Sequence, residues 1–188
     1  MALKTFVKVG SISNLSDARY CAGMGVDLLG FRAIEGQESY ISPKQFQEIR
    51  GWVTGPQIVA EVYGITNAEQ LAAVLENYRP DYLELGKKEW QALRELITLP
   101  FILSIDSGET LASIEAEPSF ILVRERSDLA QLANDHEILL AVESAENIER
   151  IDKQNIHGIA LSGSSEIKPG LKDYNELSEI LEMLEDDH

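Results

Sequence analysis

The segment FVKVGSISNLSDA, residues 6–18, decides how the chain reads. It opens as a buried strand and closes as the start of a helix. Gly10-Ser11 stands at the turn between the two. Glycine carries no side chain, and a serine hydroxyl is too weakly acidic to act as a base without help.

The same order recurs along the chain. Strands are expected at TFVKVG (5–10), DLLGFRA (27–33), QIVAEVY (57–63), DYLEL (81–85), PFILSID (100–106), SFILV (119–123), EILLAV (137–142) and HGIAL (157–161). Helical spacing fills the gaps. Leu71, Val74, Leu75 and Tyr78 form one stripe over 67–78, behind a capping box read at Thr66 and Glu69. Ser42-Pro43 opens a helix that turns Phe46, Ile49 and Val53 to one face. Asp173 to Glu176 opens the last, with Leu177, Ile180, Leu181 and Leu184 inward. Eight strands alternating with eight helices imply parallel strands with helices outside. The expected fold is therefore α/β, a single (β/α)8 TIM barrel with short loops over 1–188. An open doubly wound sheet is the alternative, but no GxGxxG follows the first strand.

Composition bounds the function. The 188 residues carry a net charge of −16, which opposes binding to nucleic acid or to anionic membranes. No apolar run approaches the roughly 18 residues of a membrane helix, and no secretory signal is read at the N-terminus. The single cysteine, Cys21, excludes an internal disulfide framework. A cytoplasmic protein, monomeric or homodimeric, is the expectation. Cys21 reads as helix packing, as do Trp52 and Trp90. His136 and His157 each precede a strand, at the end of a barrel that serves stability.

Several motifs resemble the phosphoribosylanthranilate isomerase family, whose barrel catalyses an Amadori rearrangement in tryptophan biosynthesis. VKVGSISNLSDA (7–18) is similar to that family's VKICGITNLEDA, GVDLLGF (25–31) to GADALGF, and SYISPKQ (39–45) to RYVSPEQ. Near the other end, SGSSEIKPGLKD (162–173) resembles SSGVExxPGxKD. Between roughly 55 and 155 only the strand–helix rhythm matches. The resemblance implies a base at the end of the first strand and an acid at the end of the sixth. Here those positions hold Gly10 in place of a cysteine and Arg124 in place of an aspartate. A guanidinium does not release its proton in a protein. Ser39 replaces a family arginine, and Glu143 stands where backbone amides would hold phosphate. The resemblance leaves the loop Ser162, Gly163, Ser164 and Ser165 as a phosphate-binding candidate.

The strand ends gather Lys8, Arg32, Glu61, Glu84, Asp106, Arg124 and Glu143 at the barrel mouth. A buried Lys8 needs a carboxylate partner, and Glu61, Glu84 and Asp106 are available. Two readings of the set stand open, a structural ion-pair network and a functional site. No cofactor and no metal is expected, since a metal would find only carboxylates without histidine support. The function expected is a barrel silent or repurposed for the family reaction, with a small anionic or phosphorylated ligand. The alternative is an active isomerase with Glu84 or Asp106 as substitute acid or base.

Overall fold

Eight parallel strands pair in sequence order and the eighth returns to the first, closing a barrel. The computed structural model describes residues 2–110, 115–124, 126–148, 155–163, 166–168, 171–172 and 175–186. The strands are β1 (Phe6–Gly10), β2 (Leu28–Arg32), β3 (Gln57–Glu61), β4 (Tyr82–Gly86), β5 (Phe101–Ile105), β6 (Phe120–Val123), β7 (Ile138–Ala141) and β8 (Gly158–Ser162). Six lie within their expected spans, trimmed by one or two residues, while β4 and β8 start and end one residue later than expected. The helices are α1 (Leu15–Gly23), α2 (Pro43–Arg50), α3 (Ala68–Tyr78), α4 (Lys87–Leu93), α5 (Leu129–Asp135) and α6 (Asn175–Met183). A short 3-10 helix, Arg94–Leu96, extends α4. Residues 111–114 and 149–154, where two further helices are expected to fall at least in part, lie outside the described residues.

Local chemistry sets the helix ends. Asn14 caps α1 by accepting from the Asp17 N–H at 2.9 Å. The expected cap at Thr66 is corrected. Asn67 is the cap of α3 and accepts from the Gln70 N–H at 2.9 Å, while the Gln70 side chain accepts from the Thr66 N–H. The side-chain partner at this helix start is therefore Gln70, not Glu69, because the extended residue before the helix is Asn67. Ser42 and Gln45 make the capping box of α2, with Pro43 in its first turn as expected. Asp27 and Asp81, just before β2 and β4, accept from the Val7 and Ile58 N–H groups at 2.8 Å. These carboxylates tie each strand start to the strand before it. No helix among the described residues is long and apolar enough to cross a membrane.

Helices and strands share a continuous apolar layer that includes Val7, Val9, Cys21, Leu29, Phe46, Val74, Leu85, Ile121 and Leu181. Burying each such aliphatic or aromatic side chain contributes about 1.5–3 kcal/mol. Leu177, Ile180, Leu181 and Leu184 face this layer as the sequence predicts. Cys21 is fully buried within α1. Trp90 stacks on Phe101, with ring centroids 4.5 Å apart. Trp52 departs from its packing expectation: it follows the end of α2 and is 71% exposed.

A second apolar cluster fills the barrel itself: Leu28, Val59, Ile102, Phe120, Leu139 and Ala160. Beneath it Phe6, Phe120 and His157 form an aromatic plug, with centroids 4.8–5.3 Å apart. His157 also meets Glu137 at 2.8 Å, so its place at the strand starts is structural. One turn was not anticipated. After β8, residues Glu166–Lys168 and Leu171–Lys172 pair as a two-stranded antiparallel ribbon, β9 and β10, before α6.

Candidate functional site

Side chains two residues apart on a strand share a face. Phe6 inside the barrel therefore places Lys8 and Gly10 inside, and Val59 places Glu61 there. Barrel register aligns Arg32 with Glu61 and Glu61 with Glu84 across β2, β3 and β4. Above the apolar filling these residues floor a cavity of about 260 Å³. Its wall also includes Ser11, Tyr63, Ser104, Asp106, Arg124 and Glu143.

The floor is one ionic network. Lys8 Nζ lies 2.9 Å from Glu61 Oε1 and 2.6 Å from Glu84 Oε2. Arg32 Nε lies 3.0 Å from Glu61 Oε2 and donates to the Ser11 hydroxyl at 3.2 Å. The Ser11 N–H donates to both Glu61 oxygens, at 3.1 and 3.2 Å. Ser11 reaches that orientation with φ of 53°, a left-handed conformation that costs a non-glycine residue energy. The Tyr63 hydroxyl donates to Glu84 Oε1 at 2.7 Å. Lys8, Glu61 and Glu84 are buried.

Two glycines make room for this arrangement. A Cβ on Gly10 would overlap the Glu61 carboxylate and come within 2.7 Å of Lys8 Nζ. A Cβ on Gly30 would also overlap that carboxylate, and would stand 3.1 Å from the Gly10 Cα. Glu61 lies across the backbone of β1 and β2. Its carboxylate fills the space a side chain at position 10 would need.

The two carboxylates differ in electrostatic setting. Burial pushes Glu61 up, but Lys8, Arg32 and the Ser11 N–H outweigh it and hold Glu61 below the ordinary glutamate value. Burial also pushes Glu84 up. Lys8 opposes this only in part and Glu61 adds to it, so Glu84 stays above the ordinary value. Burial alone would lower Lys8, yet Glu61 and Glu84 together hold it above the ordinary lysine value. Tyr63 is pushed well up by burial, then by Glu84. Divergent carboxylates in one cleft are what acid–base chemistry uses, though structural ion networks produce them too.

The remaining candidates separate. Asp106 lines the cavity but stays outside the ionic floor; its N–H donates to the Glu109 carboxylate at 2.9 Å. Arg124 pairs with Glu143 at the rim, where both side chains are about 70% exposed. The Gly163 N–H donates to the Gly10 carbonyl at 2.7 Å, which fastens the loop after β8 to the end of β1. Ser162 is exposed and lines the cavity, while Ser164 and Ser165 lie outside the described residues. Cys21 is remote from the cavity, and burial followed by the Asp17 charge pushes its thiol up to about 12. It is not a thiolate at neutral pH.

Sequence reading missed Tyr63, Gly30 and the backbone of Ser11. One signal was present for the glycines: two small residues on adjacent strands invite a long side chain to lie over them. Tyr63 has no such signal, because it enters the cavity only where β3 ends.

The fold matches solved phosphoribosylanthranilate isomerases over nearly the whole chain. The enzyme from Thermus thermophilus superposes with a TM-score of 0.78 at 20% identity, covering 96% of this chain and 98% of its own. The Pyrococcus furiosus N-(5'-phosphoribosyl)anthranilate isomerase gives 0.71 at 16% identity, covering 95% and 97%. A phosphoribosylanthranilate isomerase in complex with reduced 1-(o-carboxyphenylamino)-1-deoxyribulose 5-phosphate gives 0.75 at 20% identity, covering 95% and 97%. No protein-family model and no curated protein matches the sequence. At these identities the likeness shows the barrel, and the chemistry rests on this chain's own residues.

Proposed function

We propose that this barrel does not carry out the isomerisation its structural neighbours are named for, and that its mouth binds a small anionic metabolite. The observation that carries the reading is the state of Arg32. Its Nε is fixed by Glu61 and Ser11, and its guanidinium carbon sits 4.8 Å from the centroid of the Tyr63 ring. Among the described residues nothing bonds its two terminal nitrogens. A stacked, half-tethered guanidinium with a free fork is built to receive a carboxylate or phosphate.

The absence of the family reaction is supported by what stands at the two strand ends. Glu61 occupies the space at Gly10 and is neutralised by two cations and an N–H. A carboxylate so stabilised is a weak base. Arg124 at the end of β6 cannot supply a proton. General acid–base groups each contribute roughly 10²–10⁴ in rate, so losing both removes most of a catalysed rate. Purified protein mixed with phosphoribosylanthranilate is expected to show no fluorescence change above the uncatalysed course. It is also expected not to complement a tryptophan auxotroph. Turnover at an ordinary enzymic rate overturns the proposal. A second reading, an active isomerase with Glu84 as substitute acid, is favoured by the carboxyl of Glu84 being held above its ordinary value. Turnover that disappears in Glu84→Gln is its expected mark.

A further inference from the structure

We propose that the ligand is a small hydroxy- or oxo-carboxylate, its carboxylate on the Arg32 fork and its hydroxyl or oxo oxygen on the floor formed by Glu84, Tyr63 and Ser104. This rests on the anion-binding reading above and narrows it. The cavity holds three cationic side chains, of which two are already matched. Lys8 is enclosed between Glu61 and Glu84, and Arg124 is paired with Glu143. Among the described residues nothing bonds the terminal nitrogens of Arg32, which lies deeper than the exposed Arg124 and already shares its charge with Glu61. A single such guanidinium matches a monoanion. A phosphate dianion would sit among Glu84, Asp106 and Glu143, which all line the same cavity. The one described amide of the loop after β8 that faces β1, that of Gly163, is engaged by Gly10.

The floor supplies the second contact. The Tyr63 hydroxyl donates to Glu84, and Ser104 stands beside it. The phenol oxygen and the carboxyl of Glu84 together accept from, or donate to, an oxygen that carries no charge. The groups around Glu84 are Lys8 on β1, Glu61 and Tyr63 on and after β3, and Asp106 after β5. None of them presents a free cation that would draw a second anionic group downward. The volume of about 260 Å³ suits a molecule of a few carbon atoms.

Isothermal titration with D-glycerate, propionate and inorganic phosphate tests this on the full chain and on two variants. Tyr63→Phe keeps the ring under Arg32 and removes only the hydroxyl. Arg32→Lys keeps the charge beside Glu61 and removes the fork. D-glycerate is expected to bind about tenfold tighter than propionate, the equivalent of one good hydrogen bond. Tyr63→Phe is expected to erase that difference, and Arg32→Lys to weaken both acids by about tenfold. Phosphate binding as tightly as D-glycerate, with Arg32→Lys weakening it, overturns the hydroxy-acid assignment and leaves the anion site standing. Propionate equal to D-glycerate does the same. No binding of any of the three at millimolar concentration overturns both.

Discussion

The two halves of the barrel mouth are built from the same repeated unit and lined in opposite ways. Strands β1–β4 send Lys8, Arg32, Glu61 and Glu84 into the cavity, joined in one network. Strands β5–β8 send Ser104, Leu122, Ala141 and Ala160, which are small or apolar. Among the described residues, charge in the second half stands at the rim, where Asp106 is exposed and Arg124 meets Glu143 in solvent. The same types of residue thus have different consequences. Buried, each ion must be matched, because an isolated charge in a low-dielectric interior is costly. At the rim, water screens the pair and its contribution is small.

Substitutions sharpen this contrast, beginning with Lys8. Lys8→Met leaves Glu61 with Arg32 alone and Glu84 with no cation, and is expected to lower stability by about 3–5 kcal/mol in urea unfolding. Adding Glu84→Gln is expected to recover part of that loss, since only one carboxylate then remains to be matched. A double variant no more stable than Lys8→Met alone would argue against a network.

Gly10→Ala comes next. Its methyl group enters the space of the Glu61 carboxylate, and a loss of about 1–3 kcal/mol is expected. Gly23→Ala, where nothing lies within 4 Å of the added carbon, is expected to be neutral or slightly stabilising. Equal effects at the two glycines would remove the steric role given to Glu61.

The two carboxylates are separated by pH. Glu61 is held below the ordinary value of 4.5, so it contributes stability above that value and loses it as pH falls through its lowered folded value. Glu84 is held above 4.5, so folding favours its protonated form and its ionisation costs stability as pH rises. Glu61→Gln is therefore expected to cost about 1–3 kcal/mol at neutral pH, and Glu84→Gln less than about 1 kcal/mol. In denaturant titrations the deficit of Glu61→Gln should shrink as pH drops below 4.5. A deficit independent of pH would mean the charge of Glu61 is not what stabilises. Smallest is Arg124→Gln at the rim, expected to change stability by less than about 1 kcal/mol and by less still in high salt.

Much of the fold was legible because its signal is local. Apolar runs of strand length and a serine and proline at the start of a helix act over a few residues. Part of the site was legible for the same reason, since charged residues at strand ends gather at one end of a barrel. Their pairing was not legible. Asp106 and Glu61 read alike along the chain, yet one lies past the ladder and the other lies across two glycines. The loop after β8 carried a phosphate-like pattern, but pattern does not reveal that the Gly163 N–H is already engaged.

Sequence by itself determined the alternation of strand and helix, and with it the barrel, because side-chain periodicity and turn chemistry are properties of neighbours along the chain. It also determined that no thiol or carboxyl is carried by position 10 or position 124. Only the tertiary structure decided that Glu61 fills the space beside Gly10 and that Arg32 keeps a free fork. Those facts depend on the stagger between strands β1, β2 and β3. The stagger is fixed when the sheet closes on itself and brings residues about fifty positions apart within bonding distance.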